Sequence, residues 1–325
     1  MFGLAFFYIS VFIVSQIIPF GSTIVSERYT YLAYIGLSFP IGVWLAQLRE
    51  NSFSKFKTPL YVITLIWIAW LSFSSFKRTE VWKNSDTLWT DVIKKMPQPA
   101  VFPYHAHASY IVDRSNTDVD KPNQISSKED YLKAIQELNV VISMDPKELY
   151  IAQLAYDYGF AGKYDSSILI FDRVLKLNPK EKLYYTNKMI GQQNLKDFNG
   201  KYQTCSDALN YFPKDTALLS EKVRLGIELN KPNAMADADQ LLAIDSLSVS
   251  GHLLRSTIFS NFGNYEKAFR DLLTASKISP DNPNVFFRMA MVSFKAGDRI
   301  KAKEYLKTAV EKGYPMDPSS MKFLE

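Results

Sequence analysis

The sequence predicts an all-α chain in two parts, three membrane helices followed by a superhelix of about six helix hairpins. Three observations carry that prediction. A helix stop recurs every 33 or 34 residues, at Pro146, Pro179, Pro213, Ser246 and Pro280, with Tyr314-Pro315 one step further on, and a fixed period with helical content marks a solenoid. Between two stops, residues 247–280 read LSVSGHLLRSTIFSNFGNYEKAFRDLLTASKISP, two halves of helical spacing split at Gly263-Asn264, which is a helix hairpin. Three long apolar runs stand before residue 77, where the only charges are Glu27, Arg28, Arg49, Glu50, Lys55 and Lys57.

Residues 1–20, MFGLAFFYISVFIVSQIIPF, are long enough at about 1.5 Å per residue to cross a hydrocarbon core of about 30 Å. No basic residue precedes the run and two more apolar runs follow, which favours a span over a signal peptide. Residues 32–48 form a shorter run interrupted by Pro40, where a kink is expected. Residues 59–76 form a third, carrying Trp67 and Trp70. The region 1–76 is thus expected to sit in a lipid bilayer. Its abrupt apolar beginning suggests further sequence upstream, with a genuine short start as the other reading. Arg49, Lys55 and Lys57 outnumber Arg28, so the positive-inside rule places the remainder of the chain outside the cytoplasm, in a periplasm or lumen. Lys77, Arg78 and Lys83 pull the other way.

Residues 77–99 read as a juxtamembrane half-repeat, one helix from Lys77 to Met96 with Trp82, Trp89 and Val92 in repeat positions and Pro97 as its stop. The repeat domain is expected over 100–325. Its first unit, 100–146, is interrupted by a polar insertion over 114–130 and resumes with Tyr131, Ala134 and Val141. Residues 148–179 carry Leu154, Ala155, Tyr158, Gly162, Tyr164, Phe171 and Pro179. The units ending at Pro213 and Ser246 are degenerate, with Lys201 where a small residue is expected and no glycine between the helices of 215–246. Regularity returns in 249–280 with Gly263, Tyr265, Ala268 and Ala275, and in 283–314 with Ala290, Gly297, Ala302 and Ala309; MDPSSMKFLE reads as a short polar cap. This pattern resembles the tetratricopeptide repeat, whose small positions lie where two helices cross and whose proline ends the second helix.

The stretch SERYTYLAYIGL, Ser26 to Leu37, resembles a segment of the transmembrane and tetratricopeptide-repeat-containing family, multi-pass enzymes that O-mannosylate proteins from a lipid-linked mannose. Glu27, Arg28, Tyr31 and Gly36 match that segment, while Ala33 and Tyr34 replace its Pro-Ser. Arg78, Trp82 and Leu88 fall in family-like places after the third run. The resemblance implies a repeat domain that presents an acceptor to a glycosyltransferase core using a polyprenyl-phosphate sugar. Within it, Arg28 becomes a candidate contact to the lipid phosphate, with Glu27 and Tyr31 as its support; the fork of an arginine suits phosphate oxygens. The family's acidic catalytic loop has no counterpart in residues 1–76, so the chain alone is not expected to transfer sugar.

Other chemistry finds little purchase. The net charge of +5 is spread without a basic stripe, which argues against nucleic acid. Cys205 is the single cysteine and cannot form an internal disulfide. His105 and His107, two apart on a helix, point apart and do not share a metal as an i, i+4 pair would; His252 falls between helices. No phosphate loop, nucleophile elbow or dinucleotide motif is present, and no cofactor or metal is expected. The inner groove offers more. Repeat positions 2, 5 and 9 of each first helix, which face the groove in this family, are Leu149, Ala152, Tyr156; Leu183, Thr186, Ile190; Thr216, Leu219, Val223; Ser250, Leu253, Thr257; and Asn284, Phe287, Met291. None is charged, which suits an extended neutral peptide; a groove filled by the chain's own C-terminal segment, or by nothing, stands beside that reading. Two functions follow. One is the acceptor-binding portion of a protein O-glycosyltransferase. The other is a membrane-anchored, non-enzymatic scaffold that recruits proteins in the cell envelope.

Overall fold

The computed structural model describes residues 5–7, 39, 42, 43, 46, 54–113 and 126–315. The described chain is helical throughout and divides into two compact units at Lys83/Asn84.

The first unit contains α1, Ser54–Val81. The spans expected over 1–20 and 32–48 lie almost wholly outside the described residues, as do Glu27, Arg28 and Tyr31; the third, over 59–76, falls inside α1. Among the described residues, no helix is long and apolar enough to cross a membrane. In α1 the apolar run is thinned by Thr64, Ser72, Ser74 and Ser75 and closed by Lys77 and Arg78. The expectation of three membrane helices, and with it the bilayer as partner and the extracytoplasmic placement argued from charges beside the spans, is therefore corrected: the fold is an all-α helical repeat. The single helix expected from Lys77 to Met96 is also two helices. α1 ends at Val81, and Asn84 starts α2, Ser85–Lys95, through a capping box with Thr87.

The second unit pairs α3 (Val101–Val112) with α4 (Lys128–Met144), α5 (Glu148–Phe160) with α6 (Tyr164–Leu177), and α7 (Lys182–Asn194) with α8 (Phe198–Tyr211). The series continues with α9 (Thr216–Glu228) and α10 (Ala234–Ile244), α11 (Val249–Asn261) and α12 (Tyr265–Ile278), and α13 (Pro283–Lys295) and α14 (Arg299–Glu311). The insertion expected at 114–130 lies largely outside the described residues and ends three residues late, since α4 begins at Lys128 behind its cap Ser127.

One turn geometry joins both helices in five of these hairpins. The chain passes through the left-handed region at Gly162 (φ 78°), Lys196 (58°), Asn230 (52°), Gly263 (75°) and Gly297 (87°). The next residue's N–H then bonds the carbonyl five residues back, as in Lys163 to Tyr158 (2.8 Å), Asp197 to Gln192 (2.8 Å) and Lys231 to Gly226 (2.8 Å). This is the Schellman closure of a helix C-terminus, which needs a positive φ. It survives where the sequence lacks glycine.

Small residues sit where the helices cross. Ala134, Ala155, Ala208, Ala238, Ala268, Ala275 and Ala309 are fully buried, and the larger Leu138, Phe171, Val174 and Leu272 fill the space between. Lys201, which breaks the pattern, is half-buried with its ammonium against Glu221, whose carboxyl Arg224 and Lys201 together hold down at about 2.

Candidate functional site

First helices of consecutive units touch at α5–α7, α9–α11 and α11–α13, and second helices do not to the same extent, so first helices form the inner layer. Two pockets lie on that layer, each between consecutive first helices.

The first pocket, about 240 Å³, lies between α5 and α7 over α6. Tyr156 and Phe160 line it from α5, Tyr164 from α6, and Asn187, Ile190 and Asn194 from α7. Tyr156 is fixed edge-on to the buried Phe171 at 5.2 Å, and Phe160 stacks on Tyr131 at 5.2 Å. Beside them, Leu149, Leu183 and Ile190 stand more than half exposed, an apolar row whose contact with water is unfavourable.

The second, about 300 Å³, lies between α11 and α13. Ser256, Thr257 and Ser260 supply one wall, and Phe287, Arg288, Met291 and Lys295 the other. Tyr314 closes the end, stacked on Phe287 at 4.1 Å with the rings nearly parallel. Counted from the start of its helix, Arg288 occupies the place of Asn187 in the other pocket, and Lys295 that of Asn194. Arg288 Nη1 donates to Thr257 Oγ1, which in turn donates to the Leu253 carbonyl at 2.9 Å. Burial pushes the guanidinium below its ordinary pKa.

The groove residues expected from sequence divide. Leu149, Tyr156, Thr186, Ile190, Thr257, Phe287 and Met291 lie on the first helices exposed or half-exposed; Leu253 is half-buried against the core around Leu272. Ala152 is 4% exposed, Leu219 1% and Val223 0%, so these three pack inside. The α9 positions are out by one residue: with Thr216 first in its helix, the left-handed Asn230 falls in register with Gly162, Lys196, Gly263 and Gly297. The place matching Tyr156 and Ile190 then belongs to Arg224, an exposed residue paired with Glu221 and Glu228. The groove is thus not free of charge. Counting positions 2, 5 and 9 alone also passes over Arg288 and Lys295, the sixth and thirteenth residues of α13.

The remaining candidates are structural. His252 bridges Asp271 Oδ1 (3.0 Å) and the Ser246 carbonyl (3.1 Å), and Arg255 grips both oxygens of Asp271 while reaching Asp239, tying α10, α11 and α12 together. His105 meets Gln153 and the Tyr150 ring. The Cys205 thiol lies buried against Met189, its pKa pushed up to about 12 by burial, which keeps it unreactive. Among the described residues no three or more His, Cys, Asp or Glu are grouped to hold a metal ion.

No protein-family model matches the chain, and no curated protein matches it; the resemblance of residues 26–37 to the O-mannosyltransferase family gains no support there. Solved structures are similar in fold. A tetratricopeptide repeat protein from Parabacteroides merdae shares 18% identity at a TM-score of 0.49, over 64% of this chain and 81% of that one. YrrB, described as a tetratricopeptide-repeat protein with an unusual peptide-binding site, shares 14% at 0.45, over 57% and 95%. PilW, a type IV pilus biogenesis factor, shares 22% at 0.45, over 54% and 82%. These likenesses bear on the helical-repeat fold alone.

Proposed function

We propose that this chain is a non-enzymatic protein-interaction scaffold that captures an extended protein segment along the inner layer of its first helices. The observation that carries this reading is the uncovered apolar row Leu149, Leu183 and Ile190 beside a pocket walled by Tyr156 and Phe160. A wet apolar row next to a rigid aromatic pocket is what a groove for alternate side chains of a bound strand requires. An acceptor-presenting role beside a glycosyltransferase rests on residues 26–37 alone, outside the described chain, and no observation among the described residues favours it.

The test is a selection of displayed random peptides against the full chain, followed by affinity measurement with Ile190→Asp. A charge at this exposed position leaves the core intact and places an unpaired carboxylate under the segment. Affinity is expected to fall at least about tenfold, with the helical circular dichroism and melting temperature unchanged. Unaltered affinity for all selected peptides would remove the groove as the binding surface.

A further inference from the structure

The first helices of α5 to α13 carry three arginines, and two are answered by carboxylates of the chain. Arg224 is held by Glu221 and Glu228, and Arg255 by Asp239 and Asp271. The more buried lysines follow the same rule, with Lys188 on Asp172, Lys201 on Glu221 and Lys222 on Asp237. Arg288 is the exception. Among the described residues its one hydrogen bond goes to the Thr257 hydroxyl, and no carboxylate reaches it. Among the described residues Lys295, on the same pocket wall, reaches only Asn261 Oδ1, at 3.5 Å. A half-buried guanidinium that no carboxylate among the described residues answers is unfavourable, and that cost is relieved when a carboxylate enters.

We propose that the α11–α13 pocket takes the carboxylate of an aspartate or glutamate side chain in the bound segment, with Arg288 as its anchor and Lys295 as a second, mobile cation. This deepens the groove reading and rests on it. The planar fork of Arg288 can meet both oxygens of a carboxylate, while Phe287, Met291 and Val292 give the pocket apolar walls for the methylene stem. The α5–α7 pocket supplies the contrast within the molecule: amides Asn187 and Asn194 stand where Arg288 and Lys295 do, so that end accepts a neutral side chain. The preferred partner is therefore polar in sense, neutral at the N-terminal pocket and acidic at the C-terminal one.

The experiment uses peptides selected by display on the full chain, each remade with its acidic residue changed to the matching amide, and measures affinities by fluorescence anisotropy. Selected peptides should be enriched in Asp or Glu at one place, and the amide exchange should weaken binding about tenfold or more, as expected for loss of a charge-assisted pair. With Arg288→Gln that ratio should shrink to near unity. Met291→Glu, one turn from Arg288, should answer the guanidinium internally; it should raise the melting temperature and abolish the acidic preference, and it carries the test if Arg288→Gln unfolds. Peptides bound without acidic preference, or with the same preference to Arg288→Gln, overturn the proposal and leave the groove reading standing. No bound peptides, or peptides indifferent to Ile190→Asp, overturn both. If an acidic preference emerges only after Asp317→Asn with Glu325→Gln, the pocket serves the chain's own tail, and the proposal is likewise overturned.

Discussion

Asp157 shows how far packing can move a single group. Its side chain is buried in α5, one carboxyl oxygen has no hydrogen-bond partner, and burial pushes its pKa up to about 7. Because the folded value lies above the ordinary 3.8, the folded chain keeps a proton that the unfolded chain releases between those values. Stability therefore falls as pH rises from about 4 to about 7 and levels off above, by an amount on the order of a few kcal/mol. Asp157→Asn is expected to remove that slope in urea denaturation, gaining stability at pH 8 and little at pH 4; equal changes at both would contradict the assignment. His107 has a profile of the same sign at higher pH. Burial opposes its charged form, but Glu137 (Nδ1, 2.6 Å) and Asp86 (Nε2, 3.2 Å) outweigh it and hold the pKa above 6.5. Its contribution is fully present below that value and fades as pH rises through the raised folded value. His107→Gln should thus cost about 1 kcal/mol at pH 6 and less at pH 9. Since Asp86, His107 and Glu137 belong to α2, α3 and α4, the loss should fall on the N-terminal end of the array, as faster amide exchange there.

At the scale of the hairpin, the shared turn makes a prediction that contacts alone would not. Lys196 and Asn230 hold left-handed backbone in places that glycine holds in the other units. A side chain in that region costs about 1–2 kcal/mol, less for asparagine. Lys196→Gly is expected to stabilise the chain by about 1 kcal/mol, Asn230→Gly by less, and Gly297→Ala to destabilise it by about 1 kcal/mol. An added Cβ at Gly297 meets nothing within 4 Å, so the change there is purely one of backbone. Thermal melts that rank the three otherwise would show that the turn is not what closes these hairpins. The same turn explains which elements could be read from sequence. Units with Gly and Pro at both punctuation points, 148–179 and 249–280, kept their register, with Gly162 and Gly263 in the left-handed turn, although Ala152 packs inside. The unit of α9 and α10 lacks both marks, with Asn230 and Ser246 in their stead, so its register slipped by one, and Leu219 and Val223 moved on paper from the core to the groove. Helical spacing fixes a face only once the first residue is known.

At the scale of the molecule, apolarity was the misleading signal. Residues 59–76 contain enough Ile, Leu, Trp and Phe to suggest a span, yet the helix that holds them does not meet the length and apolarity that crossing a membrane demands. Residues 26–37 lie outside the described chain, so the lipid-phosphate role of Arg28, Glu27 and Tyr31 stays an expectation from resemblance. The array itself was readable because each repeat must bury its neighbour's face with the same small residues. The pocket charges were not, because a rule of three groove positions per helix ignores side chains that enter from the next turn, as Arg288 and Lys295 do. What distinguishes this groove is its gradient, apolar and amide-lined at α5–α7 and cationic at α11–α13. The most direct measurement is photo-crosslinking of a selected segment from benzophenone side chains placed singly at positions 190, 291 and 169. Leu169 is an exposed residue of α6, a second helix, and serves as the outer-face reference. The account predicts adducts from 190 and 291 to different residues of one segment, the residue reached from 291 lying beside an acidic one, and none from 169. Adducts from 169 at comparable yield, or from neither inner position, would contradict it.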